Sequence, residues 1–126
     1  MEAWGAFLRT LPGTLIGCQY DATPDEIAAL ENLSGRKIFV PPMLDQKNEL
    51  DRTAAMLSAL DVLISAPTAV SWLGAGTGTR TLKLLYDTSW TAFGQAYEPL
   101  APSCRCVIPG TRGDWRDVFE KAAAII

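Results

Sequence analysis

Strand-like and helical segments alternate along this chain, which predicts the α/β class with a mostly parallel sheet. Three observations carry that expectation. Val62-Leu63-Ile64 is a short continuous apolar run, the pattern of a strand covered on both faces. Ser65-Ala66-Pro67-Thr68 follows at once and opens a helix, with proline where a missing N–H costs least. Capped helices flank the strand-like runs on either side. Together these predict a Rossmann-like three-layer α/β/α arrangement with right-handed crossovers.

In chain order, Ala3 to Arg9 is a short helical piece with Trp4, Phe7 and Leu8 on one side. Thr14 to Tyr20 is strand-like. Thr23 is a good N-cap, followed by Pro24, acidic residues in the first turn, an apolar face of Ile27, Leu30 and Leu33, and Gly35 as C-cap. Lys37 to Val40 is a short strand ended by Pro41-Pro42. Glu49 to Leu60 is a helix with Leu50, Ala54, Leu57 and Leu60 (or Met56) facing inward. Asp61 to Ser65 is a strand, Thr68 to Ala75 a helix, and Arg80 to Tyr86 a further strand. Asp87 to Pro109 reads as irregular, with Trp90, Phe93 and Tyr97 placed either to stack on a base or sugar or, the favoured reading, to cover the sheet edge, and with Cys104 to Ile108 as a last short strand. Asp114 caps a closing helix, with Asp117 in a capping-box-like position and Trp115, Val118, Phe119, Ala122 and Ile125 inside. Only four or five strands are visible, fewer than in a six-stranded nucleotide fold, and the shortage is at the beginning.

The 126 residues fit one domain, 1–126, with 48% hydrophobic and 20% charged residues, an ordinary folded composition. The net charge of −3, with no basic cluster longer than Gly35-Arg36-Lys37, argues against nucleic acid as partner. No apolar run approaches the ~20 residues of a membrane span. Met1 to Gly13 lacks a cationic start and an apolar core, so the expected location is cytoplasmic. Cys18 reads as a small core residue. Cys104-Arg105-Cys106 could be half a metal site or a redox pair, but no second cysteine pair and no histidine complete one, so no metal is expected. The absence of histidine also excludes Ser-His-Asp and Cys-His catalysis within the chain. No catalytic residue is identified.

Gly74-Ala75-Gly76-Thr77-Gly78 lies between a helix and a following strand, where glycines serve as C-cap and turn rather than as a dinucleotide fingerprint. Ser65 to Val70 is the better ligand candidate, because a helix start at the carboxyl end of a parallel strand converges free N–H groups on an anion. Thr68 offers a hydroxyl, and Thr68, Ala69 and Val70 offer amides. The alternative is a helix start capped by Ser65 or Thr68 with nothing bound, and the residues leave both open. Gln19-Tyr20-Asp21 and Asp87 to Trp90 end other strands on the same rim.

Leu50-Asp51, Ala54, Ala59-Leu60-Asp61, Ile64-Ser65, Thr68, Val70, Leu73-Gly74-Ala75 and Gly113-Asp114-Trp115, in that order, resemble the motif region of heptosyltransferase-like (family 9) glycosyltransferases. The variant they resemble is the one linked to bacterial tetratricopeptide-repeat proteins, and Gln19 falls in register with that group's preceding strand. The resemblance covers nearly the whole chain. It implies the C-terminal, donor-binding lobe of a GT-B fold that lacks its first strand and its acceptor lobe. Such a fragment would bind a nucleotide sugar but not complete glycosyl transfer alone. Ser65, Thr68, Ala69 and Val70 would then hold the donor diphosphate, with Gln19, Tyr20 and Asn48 near the nucleoside. Two positions depart from the motif: Pro67 stands at the family's aspartate and Trp72 at its histidine. The implied partners are an N-terminal GT-B lobe, another chain, or a second copy paired through the incomplete sheet. The alternative from another class is a catalytically inert Rossmann-like interaction module that has lost the donor site. A stand-alone enzyme has no identifiable constellation.

Overall fold

A computed structural model describes residues 1–126. The elements, in order, are α1 (Glu2–Thr10), β1 (Leu15–Ile16), α2 (Pro24–Ser34), β2 (Ile38–Phe39), α3 (Leu50–Ser58), β3 (Leu63–Ser65) and α4 (Ala69–Gly76). There follow β4 (Thr81–Leu84), a 3-10 turn (Trp90–Ala92), β5 (Tyr97–Glu98), β6 (Ala101–Val107) and α5 (Trp115–Ala123). The α/β class and its layering are as the sequence predicts. The sheet is not continuous: β1 and β2 form one parallel pair, and β3-β4-β6-β5 form a second sheet, parallel except for β5.

Side-chain alternation along β4 sets the layers. Leu82 and Leu84, with Val107 of β6, face a core completed by Phe7 and Leu11 of α1 and Val118, Phe119 and Ala122 of α5. Thr81 and Lys83 face the other way, level with Cys104 and Cys106, toward α4. Helices therefore cover both faces. Gly74 lies so close to Leu63 that an added Cβ would overlap that side chain.

Local signals explain the helix ends. Thr23 and Glu26 form a reciprocal capping box on α2, and Gly35 ends it in the left-handed region at φ 69°. Asp114 caps α5 by accepting from the Asp117 amide at 3.2 Å, but the Asp117 carboxylate turns to the Gly110 amide and Lys121 rather than closing a box.

Several strand and core expectations are corrected. The ladders are shorter than the apolar runs: Thr14–Tyr20 pairs only over Leu15–Ile16, and Lys37–Val40 only over Ile38–Phe39. Pro41 supplies no amide for the Gly17 carbonyl, which accepts instead from Gln46 Nε2 at 3.2 Å, so the β1–β2 ladder stops there. The segment read as irregular contains β5, joined to β6 through Pro99-Leu100, and β6 starts at Ala101 rather than Cys104. Leu50 is exposed at the outer end of α3, and Trp115 lies at the rim rather than inside. Trp90, Phe93 and Tyr97 do not cover the edge: they are 85%, 75% and 46% exposed.

Gly5 is buried in α1 where that helix crosses α2, and an added Cβ would overlap the Leu33 Cβ and crowd its backbone. Gly5→Ala is therefore expected to destabilise the protein by up to about 2 kcal/mol, because an overpacking cost of about 1–3 kcal/mol is only partly offset by a gain in helix propensity of ~1 kcal/mol. Urea unfolding of the variant measures it. An unchanged or raised midpoint would show that α1 can step away from α2 freely.

Candidate functional site

The sequence-predicted rim residues sit where strands end, and the structure brings only some of them together. Ser65 Oγ and Thr68 Oγ lie 3.4 Å apart, and Ser65 also donates to the Ala66 carbonyl at 2.9 Å. The Thr68 amide is engaged by the Ala66 carbonyl at 2.7 Å, and no side chain caps α4. The amides of Ala69 and Val70 belong to the first turn, which has no intrahelical partners. Pro67, Thr68 and Ala69 are exposed.

Gln19 and Tyr20 form an exposed turn after β1, with Lys47 Nζ 5.7 Å from the Tyr20 ring centroid. Asn48 is occupied locally, its Nδ2 donating to Asp45 Oδ2 at 2.7 Å. No hydrogen bond links Asn48 or Gln19 to Ser65–Val70.

Trp72 does not line this rim. Its ring packs on the Ala75, Ala101 and Cys104 cluster and lies 4.5 Å from Lys83 Nζ. That contact leads to a feature missed in the sequence, an ion pair between Lys83 and Glu98 with side chains 2% and 0% exposed. Thr91 Oγ1 donates to the same Glu98 Oε1 at 2.9 Å, and the Cys106 thiol approaches it at 3.5 Å. Glu98 Oε2 is buried without a partner. Burial alone pushes the Glu98 carboxyl up, yet hydrogen bonds from Lys83 and Thr91 and the Lys83 charge hold it below its ordinary value. The available signal was Lys83 itself, a lone cation in a strand otherwise destined for full burial, which demands a buried anion. Its position on the fold, under α4 and closed to solvent, makes it a structural brace rather than an acid–base centre.

The three cysteines are free. Burial pushes the Cys106 thiol up to about 12, with the Glu98 charge adding to it, and pushes Cys18 up to about 11. Burial raises Cys104 as well. Thiols held this far from ionisation are poor nucleophiles and poor metal ligands.

The less conventional feature is the break in the sheet. In β3 the Leu63 amide donates to the Arg80 carbonyl at 2.9 Å, so the backbone groups of Ile64 point to the opposite edge. Beyond β1 the Gly17 amide donates to the Phe39 carbonyl at 2.8 Å, so Ile16 points away from β2. The Ile16 carbonyl receives the Cys18 thiol at 3.6 Å. No ladder joins β1 to β3. Even so, Leu15 of β1, Ile64 of β3 and Val62 just before β3 pack on the same core.

No family model matches the chain, and no solved structure matches it. It is 31% identical over 123 residues to Protein FlbA of Caulobacter vibrioides, an alignment covering 98% of this chain and 21% of that protein. The chain thus spans about a fifth of the relative's length.

These findings correct the family assignment. The glycosyltransferase resemblance, with its GT-B, heptosyltransferase-like, nucleotide-sugar and repeat-linked implications, does not hold: no such family model matches, and the similarity over nearly the whole of this chain runs to a stretch of FlbA. Ala54, Gly74 and Ala75 are half-buried or buried packing residues, positions that helix–strand packing in an α/β fold accounts for. The donor-lobe function falls with it. The alternative of a catalytically inert Rossmann-like interaction module that has lost the donor site gains no positive support from the match either.

Proposed function

We propose that this chain is a strand-accepting docking module, whose two half-sheets are joined by an extended apolar segment of a partner polypeptide. The observation that carries this reading is the pair of edges without a strand partner at Ile16 and Ile64, where only the Cys18 thiol reaches the Ile16 carbonyl, presented by β1 and β3 over one shared core. A parallel strand between them would take up those backbone groups and extend the order to β2-β1-partner-β3-β4-β6-β5. As a central strand it would be covered on both faces, so its side chains must be apolar throughout. The match to a fifth of a longer relative is in keeping with a module that works beside other parts.

We place the module in the cytoplasm, where reducing conditions keep three free thiols reduced. No helix is long and apolar enough to cross a membrane.

The probe is a synthetic strand, Lys-Val-Ile-Val-Ile-Val-Lys, titrated into the labelled protein and followed by amide chemical shifts and hydrogen exchange. The Ile16 and Ile64 amides are expected to shift and to gain protection, while a peptide N-methylated at alternate residues does neither. Absence of any response at about millimolar peptide, where even weak complexes of about −4 kcal/mol show, would falsify the reading. Protection of both amides in the peptide-free protein, together with a dimer in sedimentation, would overturn it in favour of a second copy as the occupant.

A further inference from the structure

The face of the sheet beside α5 is not fully covered. The two-residue β5 carries no helix of its own, and past α5 the front of β6 opens into a trough of about 830 Å³. Three cations from three elements meet there: Arg80 at the start of β4, Arg105 in β6 and Lys121 in α5. No acidic side chain lines it.

Their partners leave the positive charge largely unbalanced. Arg80 donates to the Ile125 carbonyl, which uses its geometry but not its charge. Lys121 reaches the Ile108 carbonyl at 3.0 Å and is the one cation of the three with a carboxylate, Asp117 at 2.6 Å. Arg105 lies 5.8 Å from the Tyr97 ring centroid, and none of the five ion pairs includes it or Arg80. Gathering cations in one open trough costs repulsion that a bound anion removes. Half-buried Ile108 and Ile125 supply apolar surface beside the cations.

We infer that this trough is a binding site for a small amphipathic anion, with a sulfonate-, phosphate- or carboxylate-type head between Arg80 and Arg105 and an apolar body against Ile108 and Ile125. The site lies on the sheet face beside α5 and does not depend on strand docking.

The probe is 1-anilinonaphthalene-8-sulfonate, compared with uncharged N-phenyl-1-naphthylamine, both read by fluorescence on the full chain. The sulfonate is expected to bind with one saturable site, at least about tenfold tighter than the neutral analogue. Arg105→Glu is expected to weaken it at least about tenfold, Arg80→Gln to weaken it less, and Arg116→Glu on the outer face of α5 to leave it unchanged. Raising salt from about 0.05 to 0.5 M should also weaken it. Circular dichroism checks that each variant is folded. Equal binding of the neutral analogue, or unchanged affinity in both Arg105→Glu and Arg80→Gln, overturns the inference.

Discussion

Lys83→Met is expected to destabilise the protein by about 3–5 kcal/mol, because it strands the Glu98 carboxylate in a dry interior. Glu98 Oε2 already lacks a partner, so the remaining contacts from Thr91 and Cys106 cannot neutralise the charge. The paired variant Lys83→Met/Glu98→Leu removes both charges at similar volume and should recover most of that loss, or exceed the native stability. Urea unfolding of the three proteins measures the cycle. A double variant as unstable as the single one would show that the pair is held for its geometry and not merely tolerated. The same pair sets an acid limb. Glu98 is held below its ordinary value of 4.5, so its contribution is complete above that pH and is lost as pH falls through the lower folded value. The native protein should therefore lose stability on acidification below about pH 4.5, and the double variant should lose less.

Phe7→Ala is expected to cost about 3–5 kcal/mol, the range for emptying a buried aromatic position. Phe7 is 4% exposed and stacks on Phe119 at 4.9 Å, with Trp4 edge-on to both. Its helix does more than fill a core. α1 packs on α2, beside the β1–β2 pair, and on α5, over the four-stranded sheet. The loss should thus appear unevenly in hydrogen exchange, with the Gly17 amide of the β1–β2 pair losing protection more than the Leu85 amide bonded to Val107. A uniform loss across both amides would mean that α1 contributes packing without coupling the two sheets.

The helices were legible because their signals are local. Thr23-Pro24 with Glu26 marks the start of α2 and Gly35 its end, all within a few residues. The layering followed from alternation of strand and helix. What escaped was everything decided by pairing across the chain. Lys83 and Glu98 are fifteen residues apart, and nothing in the run Arg80 to Tyr86 says which carboxylate will meet the lysine. β5 is two residues long and takes its conformation from β6, so it carries no period of its own. Leu50 fits the helical stripe but lies at its exposed end, where no neighbour arrives. The motif order from Leu50 to Gly78 misled for a related reason. Small and apolar residues at those spacings are what any helix–strand–helix crossing requires, whatever the protein does.

Because β1–β2 and β3–β4–β6–β5 share side chains but no ladder, the molecule has a mechanical seam. Within each half, tension along the strands loads several backbone hydrogen bonds together, as in the four-residue register of β4 with β6. Across the seam no strand ladder resists, and the load falls on side-chain packing such as Phe7 on Phe119 and Leu15 and Ile64 on their common core. Pulled from residues 1 and 126, α1 should peel from α5 first, at low force and in a step separate from the rupture of the β4–β6 ladder.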